Sequence, residues 1–441
     1  MRFPSSIALA TLLLSTTAAS AQEVPDAARL KADVEKLVSF GTRHTLSDPD
    51  NKTRGIGAAR RWFAGEMEKI GKQCGGCIKV EQIQRMFTVP RAPNGVNVVD
   101  VLGIQRGTDP NRYVIVQGHI DSTGSDIMNP NHDSPGANDD ASGTALVLEA
   151  ARVLSKEKFT ATVIYAALSG EEQGLLGGIL LAETAKERGW NVTAVLNNDI
   201  VGGTVGQTGA RVADRVRVFS EGIRFSEDRD AQIARRGNGG EDDGPSRALA
   251  KAINQVAETV PNGLEVFVVR RPDRFGRGGD HGPFLELGYP AVRFSVATEN
   301  YRQQHQNVRE ENGVDYGDLP DKMDFPYLAK VTALNAATIR RLASAPAAPE
   351  TVALRRTTTP TTHDTTVTWT AVPGAASYRI HWRRNDKQDW TDHRDVPANE
   401  TEAMFKDMNV DDVFIGVSAL SQNGAQSLVT FGGSAPRRRS W

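Results

Sequence analysis

The feature of the sequence that most constrains its fold is a run of residues, 162–168, that is apolar at almost every position. A strand with this composition has no side suited to water, so it has to lie in a sheet that is covered on both faces. Similar runs at 194–197 and 291–296 predict two further interior strands. Helical patterns alternate with these runs, and we therefore predict an α/β domain with a doubly wound, mixed sheet over residues 22–343.

The other elements are predicted from the spacing of apolar residues. Helical spacing is found at 25–40, 57–70 and 141–154, and again in a stretch that ends near Leu342. Strand patterns are found at 80–89, 96–104, 112–117 and 161–168. The order of elements is mixed at first and then alternates, as in a doubly wound sheet.

The beginning of the chain has the layout of a targeting segment. Residues 1–21 start with a basic residue, continue with an apolar run at 7–14 and end in small residues. This is the order of a cleavable secretory signal peptide, so we expect a mature chain from about Gln22 that is secreted or periplasmic. A membrane anchor is the alternative, but the apolar run is about half as long as a bilayer requires, and no later segment is predicted to span a membrane.

The composition limits the class of partner. The 441 residues carry a formal net charge of −2, with 39% hydrophobic and 24% charged residues. A chain without a charge excess is poorly suited to nucleic acid or an anionic membrane surface, so we expect neither as a partner. The length exceeds that of one usual domain and predicts two folding units.

The only two cysteines, Cys74 and Cys77, are separated by two glycines. In an exported protein a bond between them can persist, and we prefer a local disulfide. A redox-active pair and half of a zinc site are the alternatives, but no second pair of cysteines is present to complete a structural zinc site.

A second unit is predicted at the carboxyl end. A linker rich in Pro and Ala spans 344–349 and marks a domain boundary. Beyond it apolar residues alternate in short runs, for example Val367 and Trp369, which predicts a small all-β sandwich over 350–433. The last residues, 434–441, form a basic tail.

Several chemically active side chains follow predicted strands. They are His119, Asp139, Glu171, Glu172 and Asp199. In open α/β sheets ligands bind beyond the carboxyl ends of the strands, so we expect these side chains to converge on one edge of the sheet. Neither a His-x-Asp segment nor a Glu-Glu pair has a required role alone, and the prediction depends on their combination.

Carboxylates that converge in a dry space repel one another and raise each other's pKa unless cations neutralise them. A mixture of imidazole and carboxylate ligands favours zinc, with manganese or cobalt as alternatives. The number of ligands predicts two ions. The segment 202–262, which is rich in Gly, Arg and Asp and includes a helical run at 245–260, is interpreted either as an excursion over the rim of this site or as a solvated surface insertion.

Over about residues 26–342 these motifs resemble the secreted di-zinc aminopeptidases, the zinc exopeptidases of the bacterial leucyl aminopeptidase type, a group that also includes glutamate carboxypeptidases. The resemblance implies hydrolysis of peptides that have a free amino terminus. It implies that His119 and Asp199 bind one zinc ion. Glu172 and a later histidine would bind the other, and Asp139 would bridge the two.

The same resemblance implies that Glu171 is the general base. It would take a proton from the attacking water and return it to the leaving amine. Asp121 is expected to support catalysis by a hydrogen bond to His119, which would fix the tautomer of the ring and raise its basicity as a ligand.

Two histidines are candidates for the remaining ligand. His281 lies in a Gly-Gly-Asp-His segment and His305 in a Gln-Gln-His-Gln segment. The family's ligand lies downstream of its Asp-His segment, after another strand, and this favours His305. His281 is then expected to line the substrate pocket. The family often has a threonine after the ligand, where this chain has Gln306.

Three arginines near the Asp-His segment have two possible roles, as binding groups for substrate or as solvated surface residues. They are Arg271, Arg274 and Arg277. A guanidinium group binds a substrate carboxylate well, which would indicate a carboxypeptidase or dipeptidase, but such polar runs are also common on solvated surfaces. Other polar residues are interpreted as hydrogen-bonded, loop or helix-cap residues. They are His44, His132 and Asp140.

The predicted sandwich resembles a fibronectin type III domain, in which Trp369 matches an inward-facing tryptophan. The resemblance implies a spacer or adhesion module that contacts a surface or polymer. A non-catalytic binding protein on the same scaffold is an alternative function. Every aligned ligand position and Glu171 have the required chemistry, which favours an enzyme.

Overall fold

The structure is a computed structural model that describes residues 23–359 and 362–433, with only the backbone described at 357–359 and 362. The predicted signal peptide, 1–21, and the basic tail, 434–441, lie outside the described residues. Within the described part of the chain, no helix is both long and apolar enough to cross a lipid bilayer.

The N-terminal domain contains helices and strands in alternation. The helices are α1 (Ala27–Val38), α2 (Gly55–Gln73), α3 (Ala141–Leu154), α4 (Leu176–Glu187), α5 (Arg229–Gly237), α6 (Pro245–Ala257), α7 (Gly282–Glu286) and α8 (Phe325–Ser344). The strands are β1 (Ile78–Val89), β2 (Ala92–Gln105), β3 (Asp109–His119), β4 (Ala161–Leu168), β5 (Asn191–Asn198), β6 (Arg215–Phe219), β7 (Glu265–Val269), β8 (Ala291–Val296), β9 (Arg309–Glu311) and β10 (Val314–Tyr316).

Eight of these strands form one sheet in the order β1-β2-β4-β3-β5-β8-β6-β7. Its central strands β4, β3, β5 and β8 run parallel, whereas β1 and β2 pair antiparallel on one side and β6 runs antiparallel to β8 on the other. Parallel neighbours need long crossover connections, which α3 and α4 supply. The predicted doubly wound, mixed α/β sheet is confirmed.

Strand β4 shows why an unbroken apolar run indicates an interior position. Every residue of β4 is buried. Val163, Tyr165 and Ala167 pack into a core with α1, α2, α3, α6 and α8, and Ile164 and Ala166 pack on the opposite face with α4 and α7. Burial of a large apolar side chain contributes about 1.5–3 kcal/mol, so β4 stabilises the sheet from both sides.

The predictions for α3 and β8 have the observed bounds, and most other elements extend a few residues beyond the predicted ranges. The interpretation of 202–262 is correct only in part. Val205 and Arg211 pair in a short turn near the loop that follows β8. The predicted helix at 245–260 is confirmed as α6, and the remaining residues form α5 and supply β6 to the sheet. Strand β6 was missed because its sequence, Arg-Val-Arg-Val-Phe, alternates polar with apolar residues and is only half buried.

The preferred prediction for the two cysteines is confirmed. Cys74 and Cys77 form a disulfide that closes the turn between α2 and β1. No unpaired cysteine is found within the described ranges.

The C-terminal domain is all-β, as predicted. Its strands are β11 (Val352–Thr359), β12 (Thr362–Trp369), β13 (Ser377–Arg384), β14 (Asp392–Pro397), β15 (Glu402–Phe405), β16 (Val413–Leu420) and β17 (Thr430–Phe431). They form antiparallel sheets in the orders β11-β12-β15 and β14-β13-β16-β17. Trp369 and Tyr378 meet edge to face between the sheets, with ring centroids 5.5 Å apart.

A buried ion pair fixes the C-terminal domain to the N-terminal domain. Arg383 on β13 is 1% exposed and contacts Asp243 twice, with Nη2 2.6 Å from Oδ2 and Nη1 3.3 Å from Oδ1. Lys251 of α6 places Nζ 2.9 Å from the same carboxylate. The Arg383 guanidinium also lies over the rings of Trp390 and Phe414. The domain is therefore docked rather than held at a distance by the linker.

A cleft of about 810 Å³ lies beside this interface. It is lined by Ala347 of the linker, by Arg112 and Asn191 near the amino ends of β3 and β5, and by Phe431. The residues that the sequence marks as chemically active lie at the opposite edge of the sheet, so this cleft is separate from them.

Replacing Arg383 with Met is expected to lower the free energy of unfolding by about 3 kcal/mol, because the buried Asp243 carboxylate loses both hydrogen bonds across the interface and keeps only its contact with Lys251. Urea unfolding monitored by tryptophan fluorescence measures this loss. Arg384→Met is the matched control, because the neighbouring Arg384 is 76% exposed, and its unfolding midpoint should stay near that of the unmodified protein. Equal midpoints for both variants would contradict the docking role of Arg383.

Candidate metal centre

The chemically active side chains meet at the carboxyl edge of the parallel strands. β3 ends at His119, and β5 ends one residue before Asp199. Glu171 and Glu172 lie in the turn that follows β4, and Asp139 lies in the loop that leads into α3. Because β4, β3 and β5 are parallel neighbours, their ends lie side by side and bring these loops together.

The candidate ligand atoms form two groups. The first contains His119, Glu171 and Asp199, and the second contains Asp139, Glu172 and His305; within each group the atoms lie within 4.8 Å of one another. Each group combines imidazole nitrogen with carboxylate oxygen, which is the donor set that zinc prefers. The structure thus brings together the five favoured ligands, whereas His281, the alternative to His305, lies in neither group.

Asp139 lies between the two groups. Its Oδ1 is 3.1 Å from Nε2 of His119, and its Oδ2 is 3.1 Å from Nε2 of His305. The same His305 nitrogen is 3.1 Å from Oε2 of Glu172, and Nε2 of His119 is 3.9 Å from Oδ1 of Asp199. One carboxylate therefore presents an oxygen to each group, as a bridging ligand does.

Two buried atoms at this place fit a cation. Oε1 of Glu172 has no hydrogen-bond partner among the described residues, and Nε2 of His119 faces the Asp139 carboxylate without the geometry of a hydrogen bond, although both side chains are nearly inaccessible to solvent. A buried polar atom without a partner costs free energy. A metal ion between these atoms would remove that cost.

The buried carboxylates of the centre also require compensation by positive charge. The negative charge of Glu172 raises the pKa of His305 to about 11, in spite of burial. Burial alone would raise the pKa of Asp199, but Arg293 and His119 outweigh it and hold that pKa at about 2. The carboxylates are thus compensated by protonated imidazoles, in the places where a metal would supply the charge instead.

Glu171 differs from the other carboxylates. It is only partly buried, and its pKa lies well above the ordinary value because of burial; His119 opposes this shift, and the charges of Glu172 and Asp199 add to it. A carboxylate that binds a proton readily next to a reacting group is suited to general acid–base chemistry.

Asp121 lies beneath the centre. Its backbone oxygen is 3.1 Å from Nδ1 of His119, and its carboxylate Oδ1 is 3.5 Å from the same nitrogen. The carboxylate also accepts hydrogen bonds from the backbone N–H groups of Glu171 and Glu172 and from the Thr45 hydroxyl. Asp121 therefore orients the Glu-Glu turn as well as the imidazole.

His305 lies in the loop after β8, with a φ of +50°. The preceding Gln304 donates to Oε2 of Glu299 at 2.9 Å. Glu299 also pairs with Arg217 and, at 3.0 Å, with Arg274. This network fixes the loop in a conformation that few side chains adopt without support.

The other histidines lie outside the two groups. His281 is only 1% exposed, with Nε2 2.7 Å from the oxygen of Pro272, so it does not line a pocket open to substrate. His44 is buried and hydrogen-bonded to backbone groups, as interpreted from the sequence, and His132 is exposed.

Residues that the sequence did not indicate hold the ligand loops. Arg43 is 1% exposed and donates to the oxygens of Ile120, Pro135 and Gly136, so it joins the loop after β3 to the loop of Asp139. In the sequence Arg43 belongs to an unbroken polar segment, 42–45, which we interpreted as a loop. In the structure all four of these residues are buried.

Asp318 accepts hydrogen bonds from the backbone N–H groups of Asn138 and Asp139, the latter at 2.7 Å. Asp140 is the N-cap of α3, as interpreted, and accepts from Gly143; it also accepts from the backbone of His119. These bonds fix the loop that carries the bridging carboxylate, and no local pattern in the sequence indicates Asp318.

Arg293 is buried in the middle of β8 and places Nη2 3.0 Å from Oδ1 of Asp199. Its Nη1 is 3.0 Å from Oδ2 of Asp273. An arginine inside an otherwise apolar strand requires a buried carboxylate partner, and this was a signal available in the sequence. Of the three arginines with two interpretations, Arg274 is paired and largely buried, whereas Arg271 and Arg277 are exposed.

Residues 97–320 match peptidase family M28. A probable zinc metalloprotease of Pyrenophora tritici-repentis is 41% identical over 407 residues, which cover 91% of this chain and 83% of that relative. The chain belongs to peptidase family M28. A probable zinc metalloprotease of Leptosphaeria maculans is 41% identical over 410 residues, 91% of this M28 chain and 93% of the relative.

Two solved structures have the same fold as this M28 chain at low identity. LapB from Legionella pneumophila has a TM-score of 0.52 at 18% identity and covers 71% of each chain. The aminopeptidase from Aneurinibacillus sp. strain AM-1 has a TM-score of 0.51 at 14% identity, covering 72% of this chain and 94% of its own. The two zinc metalloproteases align over a larger share of the chain than these structures do.

Proposed function

We propose that this M28 chain is an exported, zinc-dependent aminopeptidase that binds two zinc ions and removes residues from the free amino terminus of peptides. The observation that carries the proposal is the position of the Asp139 carboxylate, with one oxygen facing His119 and the other facing His305. Two imidazole–carboxylate groups joined by a shared carboxylate are suited to two neighbouring ions.

His119 and Asp199 would hold one zinc ion, Glu172 and His305 the other, and Asp139 would contact both. Zinc bound there supplies Lewis acidity toward a carbonyl oxygen and toward water. The names of the two zinc metalloproteases support zinc. The aminopeptidase activity is supported by the resemblance of the ligand set to the di-zinc aminopeptidases.

Glu171 would perform the proton transfers. Its carboxylate takes a proton from the water that attacks the scissile carbonyl and then donates the proton to the leaving amine. Asp121 accepts a hydrogen bond from the backbone of Glu171 and contacts the ring of His119, so it would fix the base and one ligand relative to each other.

The C-terminal domain is proposed to be fibronectin type III-like, which is supported by its seven antiparallel strands in sheets of three and four. Its docking on the N-terminal domain is compatible with contact to a surface or polymer through its outer face. Export to the periplasm or the medium is proposed from residues 1–21.

The test combines metal quantification with blocked peptides. The mature protein, loaded with zinc and dialysed, should contain two zinc ions per chain. It should hydrolyse leucyl-p-nitroanilide and amidated peptides but not their N-acetylated forms, and a chelator should abolish this activity. Hydrolysis of N-acetylated peptides from the carboxyl end would indicate a carboxypeptidase instead, and zinc binding without hydrolysis of any peptide would indicate a binding protein.

A further inference from the structure

The segment between β7 and α7, residues 270–281, borders the candidate metal centre. The oxygen of Gly278 accepts from Nη1 of Arg293 at 3.2 Å, and Nη2 of the same arginine contacts Asp199. On its other side a Cβ at Gly278 would lie 3.6 Å from the Leu175 side chain, and the backbone N–H of Leu175 donates to the oxygen of Glu171. The segment therefore contacts the arginine that pairs with Asp199 and a residue of the turn that follows Glu171.

Arg277 precedes Gly278 in this segment, and its guanidinium is weakly paired. Its Nη1 is 3.5 Å from Oε1 of Gln304 and 3.9 Å from Oε2 of Glu299, and its side chain is 36% exposed. Gln304 directly precedes His305, so Arg277 contacts the loop that carries one of the candidate ligands. A guanidinium has five N–H donors, and these contacts occupy few of them.

Glu299 cannot satisfy Arg277, because other partners already bind it. Arg217 contacts its Oε1, while Arg274 at 3.0 Å and Gln304 at 2.9 Å share its Oε2. Three guanidinium groups thus approach Glu299, and Arg274 has a second carboxylate partner, Asp273 at 3.1 Å, so Arg277 is the most weakly compensated of the three. A further carboxylate would compensate its charge.

We propose that Arg277 binds a carboxylate of the substrate, so that the enzyme prefers peptides with a negative charge close to the scissile bond. This assignment rests on the proposed function. Guanidinium–carboxylate pairs in such partly dry places are strong and directional, because two N–H groups can donate to two oxygens. The carboxylate has two sources, an acidic side chain and the free α-carboxylate of a short peptide.

The test compares kcat/KM for matched pairs of substrates. One pair has Glu or Gln as the first residue, a second has Glu or Gln as the second residue, and a third is a dipeptide with a free or an amidated carboxyl end. The zinc-loaded protein should prefer the charged member of at least one pair by about tenfold or more. Which pair shows the preference identifies the source of the carboxylate.

Arg277→Gln should remove this preference and leave kcat/KM for the neutral members within about threefold. Arg302→Gln is the matched control, because Arg302 is an exposed arginine of the neighbouring loop, and it should keep the preference. Thermal unfolding of both variants shows whether they are folded. If Arg277→Gln is unfolded, Arg277→Lys, which keeps the charge but loses the bidentate geometry, replaces it and should weaken the preference.

Equal kcat/KM for both members of every pair would overturn the assignment while the proposed function stands. A preference for charged substrates that survives in Arg277→Gln would also overturn the assignment. If that preference is lost in Arg91→Gln instead, the substrate carboxylate binds at Arg91, which donates to the backbone oxygen of Glu172. If no peptide is hydrolysed, the proposed function fails. The same pairs are then compared by equilibrium binding, where equal affinity for charged and neutral members overturns the role of Arg277.

Discussion

Replacing Glu171 with Gln is expected to lower kcat by about a thousandfold or more while the protein still binds two zinc ions. The amide keeps the size of the side chain but cannot accept a proton from water. Its neighbours His119 and Asp199 are unchanged, so the ligands named for each ion remain. Steady-state kinetics together with zinc quantification on the same sample measure both quantities.

Glu183→Gln is the matched control for this substitution, because Glu183 lies on the surface of α4 and pairs with Arg85. Its kcat should be unchanged. A folded Glu171→Gln protein with two zinc ions and activity within about tenfold of the unmodified enzyme would remove Glu171 from the mechanism. Loss of one zinc ion would instead identify Glu171 as a ligand, which its place in the first group permits.

Replacing Asp139 with Asn is expected to reduce the zinc content below two ions per chain and to lower kcat by about a thousandfold. The amide removes the negative charge that faces both imidazoles and offers only one oxygen. The backbone N–H of Asp139 still donates to Asp318, so the loop should keep its conformation. Metal analysis after dialysis, followed by kinetics with added zinc, measures the effect.

Asp133→Asn serves as the control in the same loop, since its carboxylate is 70% exposed and pairs with Arg54. Full zinc content and turnover are expected for it. Two tightly bound zinc ions and unchanged kcat in Asp139→Asn would show that the bridging geometry is not needed, and the proposed mechanism would then fail.

The sequence predicted the parts of the fold that local patterns determine. The apolar run at 161–168 indicated a strand buried on both faces, and the helical spacing of α3 gave its bounds. His119 and Asp199 were found because they lie at the carboxyl ends of strands, where ligands bind in open α/β sheets. These inferences need only the period of the pattern and the rules of sheet topology.

His305 required the family resemblance, because it lies in a loop well beyond β8 and no period in the sequence marks it. Arg43 and Asp318 were missed because their partners are far away in the chain, such as Asp139 for Asp318. Arg383 and Asp243 form a contact between the two domains, and the sequence of either domain alone does not predict it. Pairings of this kind depend on the final packing of the chain.

The position of the C-terminal domain has a consequence for how the whole molecule meets its surroundings. The domain is clamped at the amino ends of the strands by Arg383 and Asp243, and Asp139 lies at their carboxyl ends. The C-terminal domain and the candidate metal centre therefore lie at opposite edges of the sheet. If the C-terminal domain attaches to a cell wall or a matrix, the candidate metal centre faces away from that support.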